Sequence, residues 1–296
     1  SAAAVSAGMV PIAHGNDGMG SIRIPSACCG LVGIKPGLGV VPSGLGDGSW
    51  FGMAENGPLA TTVADAALAL SVMAGRPELA KVGSPDTLRI ALSTKAPMPA
   101  TPVDREWVEA ARRTADVLRA AGHTVRASDP PYGQVVSTSG IVRWAAGTEL
   151  DARALADRSR LAPRTRRHAR LGALALRAGL PREKGRTRWQ HTAEAFFADH
   201  DVLLTPTLAQ APIASARWSE RGWFANVWSN AHYAPFAAPW NLAGWPAMAV
   251  PAGVSAAGLP LSVQLVARPG SEGMLLALAS QLERAQPWPR LAPAYA

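Results

Sequence analysis

The stretch His14-Gly15-Asn16-Asp17-Gly18-Met19-Gly20-Ser21-Ile22-Arg23-Ile24-Pro25 holds the residues of this chain best suited to chemistry. Three glycines within six positions are followed at once by a serine, then by an apolar alternation carrying one arginine. Successive backbone N–H groups in such a turn converge into a concave donor site, which can hold a phosphate or the oxyanion of an acyl transfer. Spacing separates the two uses. Neither G-x-G-x-x-G nor G-x-x-x-x-G-K-S/T is present, so dinucleotide and triphosphate binding are disfavoured. The G-x-S-x-G elbow of the α/β hydrolases is absent as well. What remains is a tight turn that presents a hydroxyl, the usual setting of a nucleophile. Zinc finds neither HExxH nor CxxC, and the six histidines (14, 123, 168, 191, 200 and 232) have no ligand spacing. His14, beside the turn, reads as a packed or hydrogen-bonded structural residue.

The chain that must position this turn has 296 residues, 48% hydrophobic and 17% charged, enough to bury a sizeable core. No run approaches the ~20 apolar residues of a membrane helix. The opening SAAAVSAGMVP lacks the positive region of a signal peptide. Adjacent Cys28 and Cys29 could bridge only through a strained peptide, so they read as buried small hydrophobes, and a cytoplasmic setting is expected. Net charge is +8, carried by only four lysines among twenty-nine basic residues. Many of the arginines fall between Arg143 and Arg188, where Ala and Leu recur at helical spacing. That pattern suits amphipathic helices with a solvated basic face better than a nucleic-acid surface, which would interleave aromatics.

Along the chain, Ser1–Ala7 reads as a short helix stopped by Gly8, and Met9–Ala13 as a strand feeding the turn. Small residues with Gly30, Gly33, Gly37 and Gly39 follow, running on to Gly44, where backbone must pass close to backbone. Thr61–Gly75 is an amphipathic helix with a Thr start and a Gly stop. Leu88–Ser93, Val103–Ala121 and His123–Arg126 spell strand, helix, strand with short loops, a parallel βαβ unit. An Arg-rich helical middle leads to a strand at DVLLTPT, from Asp201, and then a Trp-rich loop region to Trp245. Two strands, PAMAVPAG and LPLSVQLVAR, pair around Gly258, and Met274–Ala285 is a last helix.

At this level GNDGMGSIRIPSACCGLVGIKP resembles the amidase signature family, whose pattern is approximately G-S/T-D-x-G-G-S-I/V-R-x-P-A/S followed by C-G-L/V-x-G-L/I-K-P. Further matches run in the family's order: ENGPLATTVADAALALSVMAG, DVLLTPT, and FAAPWNLAGWPAMAVPAG with GLPLSVQLVARPGSEGMLLALASQLE. The resemblance covers essentially the whole chain. It implies an α/β fold with a mixed central β-sheet flanked by helices, as one amidase-like domain over 1–296 that is truncated at its N-terminus.

The resemblance also implies chemistry. Members cleave carboxamides through an acyl-enzyme with a Ser, cis-Ser, Lys triad, and the matching position of the nucleophile is Ser21. The backbone N–H groups of Gly18, Met19, Gly20 and Ser21 would form the oxyanion hole, and Asp17 and Arg23 would pair to fix the turn. Asn241 and Gln264 match polar positions that support the fold, and Lys35 a structural lysine. Two departures stand out: Met19 replaces the usual glycine and Asn16 the usual Thr or Ser. A positive φ at position 19 would strain a methionine by ~1–2 kcal/mol, and the hole is expected to survive. The bridging serine and the lysine would lie upstream of Ser1, so little activity is expected of this chain alone.

Five of ten tryptophans lie between Arg217 and Trp245. Of these, Trp218, Trp223, Trp228 and Trp240 are candidate walls of a pocket for a hydrophobic or aromatic amide. The expected partner is a small-molecule amide, with a homodimer as the oligomer. No cofactor, metal, nucleic acid or membrane is expected. Alternatives are the A subunit of a tRNA-dependent amidotransferase, acting as a glutaminase, and a non-catalytic scaffold on the same fold.

Overall fold

The turn hangs from an edge strand, and the fold is the means of holding that edge. A computed structural model describes residues 1–42 and 49–293; Ser43 and Gly44, the end of the glycine-rich stretch, lie outside them. After α1 (Ala2–Ser6) and the left-handed Gly8 (φ 71°), β1 (Ile12–Asp17) leads into the turn and α2 (Arg23–Cys29) leaves it. Next come β2 (Val32–Lys35), β3 (Glu55–Ala60) and α3 (Val63–Ala74). The βαβ unit is β4 (Arg89–Leu92), α4 (Arg105–Ala120) and β5 (Thr124–Ala127). Three helices follow, α5 (Gln134–Arg153), α6 (Pro163–Arg177) and α7 (Glu183–Phe196), then β6 (Val202–Pro206). The chain continues through α8 (Trp223–Tyr233), α9 (Ala238–Ala243), β7 (Ala247–Val254), β8 (Pro260–Ala267) and α10 (Glu272–Ala285).

All eight strands share one sheet in the order β1-β3-β2-β7-β8-β6-β4-β5. β4 runs parallel to both β5 and β6, and every other pairing is antiparallel, so the sheet is mixed. Side chains alternate between its faces. Met248, Val250, Val263 and Leu265 point into a large core with α3, α4 and α10, where Trp107 and Leu275 are buried. Their neighbours Ala247 and Val266 face a second, aromatic-rich core with Trp189 of α7 and Trp240 of α9. Local signals mark the ends of several elements. The Thr62 hydroxyl accepts from the Asp65 N–H at 3.1 Å to cap α3, which stops at left-handed Gly75. Gly258 (φ 76°) turns β7 into β8.

Three expectations are corrected. β1 begins at Ile12 rather than Met9 and runs through His14, Gly15 and Asn16, because its ladder with β3 pairs Ile12 with Ala60 and Asp17 with Glu55. The Trp-rich loop contains two helices, α8 and α9. In α8 the Asn230 amide bonds back to the Asn226 carbonyl at 2.8 Å, and Phe224, Trp228 and His232 stack along one side, so the apolar stripe that marks a core helix is missing. Cys28 and Cys29 are only half-buried; both are free, and the Cys28 Sγ lies 3.0 Å from the Tyr233 Oη. No helix among the described residues is long and apolar enough to cross a membrane.

Gly172 marks the close approach of α6 to α5: a Cβ there would lie 1.9 Å from the Ala145 carbonyl oxygen. Gly172→Ala is therefore expected to wedge the helices apart and cost about 1–3 kcal/mol, by the usual penalty for overpacking. Urea denaturation reads this directly, and an unchanged midpoint would show that the two helices are not in obligatory contact.

Candidate active site

At the end of β1 the Asp17 carboxylate is completely buried. An isolated charge there would be costly, and Arg23 from the first turn of α2, equally buried, meets it with two contacts of 3.0 Å, Nε to Oδ2 and Nη2 to Oδ1. The same carboxylate accepts backbone N–H bonds from Gly20 at 2.5 Å, Ile22 at 3.2 Å and Arg23 at 3.4 Å, so it caps α2 from the preceding strand. Asn241 of α9 donates to Asp17 Oδ1 at 2.9 Å and to its carbonyl at 2.7 Å, and accepts from Arg23 at 2.5 Å. Gln264 of β8 accepts from Arg23 at 2.6 Å. Burial alone would raise the Asp17 pKa; the Arg23 guanidinium, with Asn241 and Lys35, overcomes this and holds the carboxyl well below the usual carboxylate range.

This network decides which amides the turn can offer. The Gly20 N–H is committed to Asp17, which removes it from the expected oxyanion donors. The N–H groups of Gly18, Met19 and Ser21 have no hydrogen-bond partner among the described residues. Gly20, not position 19, has the left-handed backbone (φ 120°), and a Cβ on it would approach Ile24 and Ala237 within 2.8 Å. Met19 carries no positive φ, so its side chain introduces no strain. Ser21 is exposed at the head of α2.

Ser21 opens onto a cavity of about 650 Å³ enclosed by α5, α6, α8 and the turn. Trp218 and Trp223 line it. Trp228 and Trp240 do not. Trp228 is 54% exposed on the far side of α8, and Trp240 is 0% exposed, packed edge-on to Phe197 and tilted against Trp189 and Trp245 in the core. Walls not foreseen are Trp50, Trp144 and His168. Of these only Trp50 leaves a trace in the sequence, in glycine: a Cβ on Gly18 or Gly147 would meet it within 2.7 Å. Burial lowers the His168 pKa, and its Nδ1 accepts from Trp223 Nε1 at 2.7 Å.

Lysine does not line the cavity among the described residues. Lys35 is buried at the end of β2, an inner strand of the sheet, donating to the Pro36 carbonyl at 2.8 Å. Burial and the nearby Arg23 push it down to about 7, and burial pushes Glu55 up to about 7. His14 is exposed on β1. Among the described residues no three His, Cys, Asp or Glu side chains converge as metal ligands.

The family model for Amidase matches residues 1–276. "Putative amidase AmiB2" of Mycobacterium tuberculosis is 40% identical, over 99% of this chain and 65% of its own length. "Acylamidase" of Rhodococcus erythropolis is 31% identical, again over 99% and 65%. The chain thus spans just under two thirds of the curated relatives it matches. Among solved structures, 6-aminohexanoate cyclic dimer hydrolase complexed with substrate superposes with a TM-score of 0.85 at 27% identity, covering 97% of this chain and 67% of that one.

Asp17→Asn preserves shape but leaves Arg23 uncompensated, and is expected to cost about 3–5 kcal/mol of stability in urea denaturation. Because the folded carboxyl titrates below the unfolded value of about 3.9, the stabilisation is complete at neutral pH and is lost as pH falls below about 4. A variant as stable as the parent across that range would remove Asp17 as the anchor of the turn.

Proposed function

Because the chain belongs to the amidase family, we propose that the full-length protein is an amide hydrolase that cleaves a carboxamide by acyl transfer to Ser21. The observation that carries this reading is the exposed Ser21 opening onto an apolar cavity, beside backbone amides that have no partner among the described residues. The Ser21 oxygen attacks the carbonyl carbon, and the developing oxyanion takes N–H bonds from the turn, with Gly18, Met19 and Ser21 as the donors. Each such donor is worth about 100- to 1,000-fold in rate. Collapse expels the amine or ammonia with a proton, and water then releases the carboxylate and restores the serine.

A serine hydroxyl needs a base. His168 is unsuited, since its Nδ1 is engaged by Trp223 and the ring is buried. The relay we propose is the family's: a second serine and a neutral lysine, supplied by residues outside this chain. The acyl group is hydrophobic or aromatic. This is supported by the tryptophans in the cavity wall, by the absence of any acidic lining residue among the described residues, and by the relative named as an acylamidase. Among the described residues Arg164 is the single charged lining residue, and it is exposed, so a glutaminase, which must anchor a charged amino acid, is less well supported. The two free thiols support a cytoplasmic setting.

In the full-length protein, Ser21→Ala is expected to lower kcat/KM for an aryl amide by roughly a thousandfold or more. A fluorophosphonate should label Ser21 in the parent and not in the variant. Turnover retained at more than a few per cent would remove Ser21 as nucleophile, and a parent that neither turns over nor labels would favour a scaffold.

A further inference from the structure

Four rings run in continuous contact from the glycine turn along the cavity. Trp50 lies on Gly18, where an added Cβ would come within 2.5 Å of the indole. Its centroid is 6.4 Å from that of Trp144, Trp144 is 4.2 Å from His168, and His168 is 5.9 Å from Trp223. All four line the cavity onto which Ser21 opens. His168 is the one member that is not a tryptophan, and it joins three helices: it comes from α6, Trp144 from α5 and Trp223 from α8.

The polar atoms of His168 explain why a histidine stands there. The ring is 5% exposed, and its Nδ1 accepts the Trp223 indole N–H at 2.7 Å, so the neutral form carries its proton on Nε2. Nε2 has no hydrogen-bond partner among the described residues, although the ring lies beside the Trp144 carbonyl. The bond to Trp223 matters because α8 is otherwise weakly tied. Tyr233 is its one buried residue, held at the far end where Ala209 N–H donates to the Tyr233 carbonyl at 3.0 Å. Phe224 and Trp228 are exposed on the outer side of α8, while Trp223, Asn226, Val227 and Asn230 face the cavity. The helix is thus pinned at two ends, and His168 is the pin at the first.

We infer that His168 is a positioning residue for substrate selection: by holding Trp223 and packing at 45° against Trp144 it fixes α8 as a cavity wall and completes a series of mutually tilted rings against which an uncharged aromatic acyl group packs. This rests on the reading of the cavity as the acyl site. The ring row favours groups that extend beyond one aromatic ring, such as naphthoyl, and gives no such contact to a short aliphatic acyl chain.

The test uses equilibrium binding, which does not depend on turnover. In full-length protein carrying Ser21→Ala, affinities for 2-naphthamide and butyramide are measured by calorimetry, with thermal melting to verify folding. Adding His168→Leu is expected to weaken 2-naphthamide about tenfold, the effect of losing one buried hydrogen bond, and to leave butyramide unchanged. His168→Asn keeps an acceptor for the Trp223 N–H and should restore affinity to within about threefold of the parent. Trp223→Phe, which keeps a ring but lacks the donor, should match His168→Leu, and the two together should lose no more than either alone. Equal weakening of both amides, no change in either, or Asn behaving like Leu would overturn the inference. If His168→Leu does not fold, the contrast between His168→Asn and Trp223→Phe decides: Asn near the parent and Phe weakened for 2-naphthamide alone supports it, any other pattern overturns it. Naphthamide binding that depends on His168 without hydrolysis by the parent would refute the amidase reaction and leave this assignment standing.

Discussion

The contact between Asp17 and Arg23 is the constraint on which the rest depends. Both side chains are completely buried, and their other polar atoms are taken up by backbone amides, Asn241 and Gln264. A buried ion pair is often no more stabilising than apolar residues of the same volume. What it adds here is definition. Three N–H groups converge on one carboxylate within seven residues, so the chain between β1 and α2 has a single path, and Ser21 is left pointing outward from it.

The two halves of the site are built to different standards. The turn sits on the sheet edge and is tied to α9 and β8 through buried hydrogen bonds. The cavity walls come from helices, and α8 in particular shows a large part of its surface to solvent. Buried hydrogen bonds thus give the turn a single geometry, while the helical walls of the cavity are held by fewer buried contacts.

Much of this is legible in the sequence. Caps at Thr62 and Gly75, the parallel βαβ unit and the hairpin at Gly258 follow from local rules, and they are where reading and structure coincide. β2 and β3 were harder because their backbones meet so closely that glycine replaces the usual strand residues: a Cβ on Gly57 would lie 2.1 Å from the Ile34 carbonyl oxygen. The cavity was harder still. Trp50, Trp144 and His168 come from three separate segments, and only packing shows that they share a wall with Trp223. The commitment of the Gly20 amide to Asp17 was illegible for the opposite reason. The partners are three residues apart, but every glycine in the turn offers an identical N–H, and only the left-handed backbone at Gly20 aims that one at the carboxylate.

The partners of the turn lie far along the chain, and this bears on biosynthesis. Asn241 is separated from Asp17 by 224 positions, and Gln264 from Arg23 by 241. At roughly 5–20 residues per second, the ribosome delivers these partners on the order of ten to fifty seconds after Asp17 and Arg23 emerge. For that interval the turn lacks the groups that shape it. A nascent chain therefore cannot hold the Ser21 turn in its final shape until both Asn241 and Gln264 have been made.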